Sequence, residues 1–208
     1  TAVWITPPVA NQWWNPWVSY GGYHGYWARD FKRIDEHFGD LELYREFVDK
    51  AHEKGLLVIQ DIVPNHVGDY FRFIDGQFEL NADSSPTAAP EQYPFSLNNY
   101  ETDSEKNIYH WTPDISNFND QLQKFTYQMS GLDDLNTENP EVIEALKDSY
   151  TFWIREAGID GFRIDTVIYV PYEFWKEFLK GENGIYQVAN ESGKTGFITF
   201  GEAWVRSD

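Results

Sequence analysis

The chain has 208 residues and no cysteine, and its 34 acidic and 16 basic residues give a formal charge of -18. This negative charge argues against nucleic acid and anionic membranes as partners, and no apolar run is long enough to cross a bilayer. The lack of cysteine excludes disulfides and thiolate metal sites. Because the chain opens on TAVWIT, without Met and inside a predicted strand, we expect it to be a fragment.

Strands and helices are predicted to alternate along most of the chain. In chain order we predict a strand at 1–6, a helix over 40–55, a strand at 56–63, a helix over 139–158, a strand at 161–167, a helix over 171–181 and a strand at 196–204. Asp40 is placed to cap the first helix, and Asn139 with Pro140 to open the second. This order predicts an α/β fold with a parallel sheet covered by helices.

Residues 65–136 interrupt this alternation. They have no strong helical period and are rich in Asn, Asp, Ser, Pro and Tyr. Since a connection of this length is rarely a plain loop, we predict a small irregular domain over 65–136, inserted between the two parts of the sheet domain at 1–64 and 137–208.

Aromatic residues are concentrated near the start of the chain. Eight fall in the first thirty residues, among Gly, Pro and Asn: Trp4, Trp13, Trp14, Trp17, Tyr20, Tyr23, Tyr26 and Trp27. Buried core is the ordinary explanation for such rings, but this surrounding sequence is more typical of a lined surface.

Three consecutive strands end in polar side chains: Asp61 followed by Asn65 and His66, Arg163 with Asp165, and Glu202. The carboxyl ends of parallel strands share one rim, where ligands bind. Each side chain also has a structural explanation, namely an Asp61–Arg163 ion pair, a turn cap for His66 and solvent exposure for Glu202. Their coincidence favours a site.

Two facing carboxylates, one ionised and one protonated, are what glycosidic bond cleavage requires. Asp165, two residues from Arg163 on the same strand face, suits the ionised role, and Glu202 suits the acid. Isomerases, aldolases and metal hydrolases also place carboxylates on barrel rims, so spacing alone leaves those chemistries open.

Five segments resemble signature segments of the α-amylase family, glycoside hydrolase family 13: GYHGYWARDF (22–31), DIVPNH (61–66), LDDLN (132–136), GFRIDTV (161–167) and FGEAW (200–204). The resemblance implies a partial (β/α)8 TIM barrel, about strands 2 to 5, with the inserted domain B after the third strand. It also implies a third carboxylate outside the chain, so we expect these 208 residues alone to be inactive.

The same resemblance implies catalytic roles. Asp165 matches the nucleophile and Glu202 the general acid and base. Arg163 matches the guanidinium that keeps the nucleophile ionised and oriented, and Asp61 matches the residue that braces Arg163.

Substrate contacts are also implied. His66 and Tyr26 match residues that line the cleavage subsite, and His24 and Trp27 are expected to support them; core packing is the alternative for Tyr26 and Trp27. Tyr169 occupies a position where many amylases carry a His that touches the sugar on the leaving side.

A calcium ion is the cofactor that the resemblance implies, with Asn65 and Asp134 as ligands. Hard oxygen ligands suit calcium, although a purely hydrogen-bonded role is open for both side chains.

The sequence as a whole predicts a retaining glycoside hydrolase acting on α-glucans. Because Ile168 and Tyr169 replace the Lys and His of many amylases, hydrolysis of maltooligosaccharides, cyclodextrin or pullulan and transglycosylation are open. A disaccharide isomerase and a non-catalytic barrel subunit are further alternatives. Family habit predicts a secreted or periplasmic protein, and the sequence is equally compatible with the cytoplasm.

Overall fold

The computed structural model of the chain describes residues 1–203. Its strands are β1 (Ala2–Ile5), β2 (Val9–Asn11), β3 (Ala28–Ile34), β4 (Leu57–Ile62), β5 (Phe71–Ile74), β6 (Gln77–Leu80), β7 (Gly161–Ile164) and β8 (Ile198–Gly201). Its α-helices are α1 (Leu41–Glu53), α2 (Tyr100–Asp103), α3 (Gln121–Thr126), α4 (Pro140–Ala157), α5 (Tyr172–Lys180) and α6 (Ile185–Glu191). Trp204, the last residue of the predicted 196–204 strand, lies outside the described residues.

A parallel sheet in the order β1-β4-β7-β8 forms the centre of the fold. The intervening chain carries α1 before β4, α4 before β7, and α5 and α6 before β8. This arrangement confirms the predicted α/β fold. The register places Asp61 directly opposite Arg163. The ladder continues past the strand ends, since the amide of Asp165 donates to Ile62 and that of Glu202 to Ile164.

Helix α4 shows how local sequence fixes an element. Asn139 caps its start by accepting a hydrogen bond from the amide of Glu141 at 2.9 Å, Pro140 takes the first turn, and Gly158 ends it in the left-handed conformation. Most of its apolar face is buried, and the indole of Trp153 donates to the carbonyl of Phe31 at 2.8 Å. Truncating so buried a ring typically costs about 3–5 kcal/mol, which makes α4 a main anchor of the sheet.

The core lies between the sheet and its helices. Its fully buried members come from every layer and include Val48, Val58, Ile62, Leu146, Tyr150, Trp153, Phe162, Phe174, Phe178, Ile185 and Val188. None of the helices described within residues 1–203 is long and apolar enough to cross a membrane.

Residues 65–136 form an irregular segment whose buried side chains are part of the same core as the sheet and its helices; they include Tyr70, Phe71, Phe95, Ile108 and Tyr109. Its two ends lie side by side, because His66 bridges Asp134 and the amide of Leu135 donates to Asn65 at 2.9 Å. The division of the chain at 64 and 136 stays a prediction, which this pairing of the ends supports.

The structure contains elements that the sequence pattern does not predict. Strands β2 and β3 form an irregular antiparallel pair, and α6 precedes β8. The predicted strand 161–167 ends early, at Ile164, because Thr166 turns the chain with a φ of 50°. These elements are short or irregular, so they leave little periodic signal.

Candidate active site

A cavity of about 440 Å³ opens at the carboxyl ends of β4, β7 and β8. Predicted site residues on its wall are Tyr26, His66, Arg163, Asp165, Tyr169 and Glu202. The sheet brings them together from segments far apart in sequence, as the shared rim of parallel strands predicts.

The guanidinium of Arg163 is the centre of this wall. Its Nη1 lies 3.0 Å from both carboxylate oxygens of Asp61 and 2.8 Å from Oδ1 of Asp165, and its Nη2 lies 3.2 Å from Oε2 of Glu202. Burial would lower the pKa of Arg163, but the hydrogen bonds and charges of Asp61 and Asp165 raise it. One permanently charged group therefore connects all three carboxylates.

Asp61 is fully buried beneath this guanidinium. Burial raises its pKa to about 6, although hydrogen bonds from Arg163 and from the hydroxyl of Tyr26, at 2.9 Å, favour the ionised form. The indole of Trp4 also donates to Asp61 at 3.2 Å, and the guanidinium of Arg163 lies 5.4 Å from the Trp4 ring centroid. Trp4 contacts Asp61 but lies in none of the signature segments. Its signals in the sequence are its place in the group of aromatic residues near the start of the chain and on the strand next to that of Asp61.

Asp165 lies just beyond β7 and is 8% exposed. Burial raises the pKa of its carboxyl, while hydrogen bonds with Arg163, Thr166 and Glu202 oppose that rise. A hydrogen bond between the Asp165 and Glu202 carboxyls needs a proton on one of them. Thr166, next in the chain, has a left-handed backbone, which costs a β-branched residue about 1–3 kcal/mol. This turn fixes the direction in which Asp165 leaves the strand.

Glu202 follows β8 and is more open than Asp165. Its side chain is 40% exposed, and the amide of Thr166 approaches Oε2 only at 3.5 Å. The sequence assigns Glu202 the role of the acid, which burial would favour; the structure instead leaves the side chain partly open, and its position beside Asp165 is the feature that suits this role.

His66 is 2% exposed, and its Nε2 has no hydrogen-bond partner within the described part of the chain. Burial lowers the pKa of His66 to about 4, so the imidazole is neutral near pH 7. A neutral ring nitrogen on the cavity wall can donate to or accept from a polar ligand.

The predicted supporting residues lie behind Tyr26. His24 packs against Tyr26 with ring centroids 5.7 Å apart, and its Nδ1 accepts a hydrogen bond from the Tyr26 amide at 3.1 Å. Trp27 packs edge-on against His24, with centroids 4.8 Å apart. Burial lowers the pKa of His24. His24 and Trp27 thus contact Tyr26 or its neighbour and are not among the residues that line the cavity.

Tyr169 and Phe118 form an aromatic edge of the cavity, with centroids 6.5 Å apart. Tyr169 lies on the short helical turn after Asp165, whereas Phe118 comes from the irregular segment 65–136. Phe118 lies in no signature segment, and only the tertiary structure brings it to the site.

Asn65 and Asp134 are buried and adjacent, with 3.3 Å between Nδ2 and Oδ1. The Nδ1 of His110 lies 2.7 Å from the other oxygen of Asp134. Burial alone would lower the pKa of His110, but hydrogen bonds with Asp134 and Glu138 raise it to about 9. Burial raises the pKa of Asp134 to about 7.

This pair fits calcium in donor type, because both side chains offer oxygen atoms. Within residues 1–203 no cluster of three or more His, Cys, Asp or Glu side chains could hold a metal, so backbone carbonyls and water would have to complete a calcium shell. His110 supplies a cation to the same carboxylate and is not anticipated from sequence.

The amino-acid sequence of the chain matches a known family of proteins and several of its members. Residues 1–201 match the family model described as "Alpha amylase, catalytic domain". The cyclomaltodextrin glucanotransferase of Klebsiella oxytoca is 33% identical over 97% of the chain, and the alpha-amylase of Streptomyces lividans is 30% identical over 98%. The chain spans 29% and 25% of the lengths of these two relatives.

Solved structures share the fold. The alpha-amylase of Geobacillus thermoleovorans, complexed with acarbose, is 36% identical and superposes with a TM-score of 0.73 over 99% of the chain and 37% of its own. A cyclomaltodextrin glucanotransferase with a three-domain ABC distribution is 34% identical, with a TM-score of 0.77 over 99% of the chain and 39% of its own. These neighbours confirm the fold as part of a (β/α)8 barrel.

Proposed function

The chain belongs to the α-amylase family, and from this premise we propose that the complete gene product is a retaining glycoside hydrolase acting on α-glucans such as starch and maltooligosaccharides. The observation that carries the proposal is the contact of Arg163 with Asp61, Asp165 and Glu202 on one cavity wall. The two carboxyls that glycosidic cleavage requires are Asp165 and Glu202, and both lie beside the guanidinium of Arg163.

In the proposed first step the carboxylate of Asp165 attacks the anomeric carbon of the sugar. Glu202 gives its proton to the glycosidic oxygen, the bond between that oxygen and the anomeric carbon breaks, and a covalent glycosyl-enzyme forms. In the second step Glu202 removes a proton from water, whose oxygen displaces Asp165 from the anomeric carbon. Two inversions restore the original anomer.

Arg163 favours the ionised form of Asp165, which burial alone would oppose. Asp61 fixes the guanidinium from below, and Tyr26 fixes Asp61 through its hydroxyl. The Nε2 of His66, which has no hydrogen-bond partner among residues 1–203, is then available for a sugar hydroxyl, and the ring of Tyr26 for a sugar face.

Transglycosylation is the second candidate activity, because the aromatic edge formed by Tyr169 and Phe118 could seat an acceptor sugar in place of water. Relatives named cyclomaltodextrin glucanotransferases support it. A disaccharide isomerase would use the same covalent intermediate. A non-catalytic subunit would not need two carboxyls and a guanidinium in contact.

Calcium belongs to the proposal through Asn65 and Asp134, which would hold the ion between the irregular segment and the sheet. When bound, the ion would supply positive charge to a buried carboxylate and fix the two ends of the segment. Export from the cell, to the periplasm or the medium, is proposed from the habits of starch-degrading relatives.

The test compares the complete gene product with its Asp165→Asn variant on starch, cyclodextrin, pullulan and maltotriose, reading released sugar and its initial anomer. We expect α-anomeric products from the wild type and a rate lower by about a thousandfold or more in the variant, because the amide cannot form the glycosyl ester. The matched control is Asp75→Asn, the same change in the exposed β5–β6 turn, which should leave the rate unchanged. Full activity of Asp165→Asn, or β-anomeric first products, would refute the retaining assignment.

A further inference from the structure

Trp4 contacts both members of the buried ion pair behind Asp165. Its indole Nε1 donates to Oδ2 of Asp61 at 3.2 Å, and its ring centroid lies 5.4 Å from the guanidinium carbon of Arg163. The first distance is that of a hydrogen bond, and the second lies within the range of a cation–π contact. One side chain on β1 therefore reaches residues of the next two strands of the sheet.

The register of the parallel strands produces these contacts. Trp4 stands opposite Ile59 in the β1–β4 pair, and Asp61 stands opposite Arg163 in the β4–β7 pair. Because side chains two residues apart on a strand share a face, Ile59 and Asp61 point to the same side of β4. The indole has to reach only two residues along the neighbouring strand to meet the carboxylate.

Packing in the core does not explain the position of Trp4. Within residues 1–203 its side chain is not part of the hydrophobic core, and the residue is 55% exposed. Asp61, in contrast, has no exposed surface. An indole that is largely exposed, while its one polar atom meets a fully buried carboxylate, is placed for that carboxylate.

The indole suits a permanent contact with an ionised carboxylate, because its N–H can only donate and does not titrate. Asp61 also accepts from the hydroxyl of Tyr26 at 2.9 Å and from Nη1 of Arg163 at 3.0 Å. Burial raises the pKa of Asp61 and these two donors oppose the rise, so a further donor acts in the same direction. The other ionisable groups that face this carboxyl are Asp165, whose charge raises the pKa, and Tyr150 on α4.

We propose that Trp4 is a positioning residue for the glycosidic reaction, which holds Asp61 and Arg163 in the arrangement that orients the nucleophile. It acts through these two groups and not on the sugar, because it is not among the described residues that line the cavity. This inference rests on the proposed function and adds to it a residue outside the signature segments.

The test measures kcat and KM of the complete gene product on maltoheptaose across the acidic limb of the pH–rate profile. In Trp4→Phe, which keeps a ring but loses the N–H, we expect this limb to move up by about one pH unit, because Asp61 then takes up its proton at higher pH and releases Arg163. KM should stay within about twofold, since no contact with the sugar is lost. Trp4→Gln, which keeps an N–H donor without the ring, should show less than about half of the shift.

Trp153→Phe is the matched control. It also removes an indole hydrogen bond, but one of 2.8 Å to the backbone carbonyl of Phe31 in the core. It should lower the thermal midpoint and leave the acidic limb in place. An unchanged limb in Trp4→Phe, or an equal shift in Trp153→Phe, would overturn the proposal.

Thermal midpoints keep this result distinct from the proposed hydrolysis, because they require no activity. The difference between wild type and Trp4→Phe should be largest near pH 8, where Asp61 is ionised, and should shrink at about pH 4.5, below the pKa of about 6 at which Asp61 gains its proton. A difference that shrinks in this way supports the role of Trp4 even if no hydrolysis is found. An equal difference at both pH values would show that the ring only packs, and would overturn that role.

Discussion

Arg163 is the residue on which the geometry of the site depends most. Its planar guanidinium reaches Asp61, Asp165 and Glu202 at once, from a position that is 9% exposed. A buried carboxylate without such a partner would favour its protonated form. The charge that the sequence places inside a strand is thus balanced by neighbours on both adjoining strands.

Replacing Arg163 by Lys should lower kcat of the complete gene product by about a hundredfold, because an ammonium cannot reproduce the planar fork that binds several carboxylates. The weaker cationic contact should also let the pKa of Asp165 rise, so the acidic limb of the pH–rate profile should move to higher pH. Steady-state rates between pH 4 and 8 measure both effects. Arg45→Lys, in a partly exposed ion pair with Glu156, is the control; an unchanged profile in Arg163→Lys would contradict the assigned role.

At the scale of elements, the carboxylate of Asp160 connects several helices and strands at the end of the sheet opposite the cavity. Asp160 accepts hydrogen bonds from the Val58 amide at 2.8 Å and Lys194 Nζ at 2.8 Å, and contacts His52 Nε2 at 2.6 Å. It thereby ties α1, β4 and the turn after α6 to the start of β7. Burial would raise its pKa, but these hydrogen bonds hold it below its ordinary value.

Asp160→Asn should lower the free energy of unfolding by about 1.5–3 kcal/mol at pH 7, the usual range for hydrogen bonds to a charged group. Since the folded-state pKa lies below the unfolded value of about 3.9, the stabilisation is present above pH 4 and is lost as the pH falls through the folded-state pKa. Thermal midpoints of the complete gene product at pH 7 and near pH 3 measure this.

The difference between wild type and Asp160→Asn should therefore shrink at the lower pH. The comparison variant is Asp148→Asn, whose pair with Lys32 is 63% exposed on the Asp side and should be worth less than about 1 kcal/mol. A difference that is independent of pH would show that packing, not charge, is the contribution of Asp160.

At the scale of the whole molecule, the contact between the irregular segment and the sheet determines the shape of the site. The segment supplies Phe118 to the cavity, and its two ends meet where Asn65 and Asp134 are buried. A calcium ion at this point would connect the ends through oxygen ligands. Its removal should therefore weaken the molecule as a whole.

Chelation of calcium should lower the thermal midpoint of the complete gene product, by the equivalent of ~2.7 kcal/mol when free calcium is about a hundredfold above its Kd. Calcium should restore the midpoint and magnesium should not, because magnesium demands a stricter octahedral shell. Asp134→Asn should abolish the response, whereas Asp75→Asn should keep it. If chelation leaves the wild-type midpoint unchanged, the calcium site is contradicted. His110 alone would then balance the charge of Asp134.

The sequence by itself determined the long elements and the strand-end carboxyls. Helix α4 and strands β4 and β7 follow from apolar period, caps and buried runs, which are local properties that neighbouring residues fix. The approach of Asp61, Asp165 and Glu202 follows from parallel topology. The tertiary structure decided what depends on distant contacts. Examples are the hydrogen bond from Trp4 to Asp61, Phe118 at the cavity and His110 against Asp134, because packing between segments far apart in the chain leaves no periodic trace in either of them.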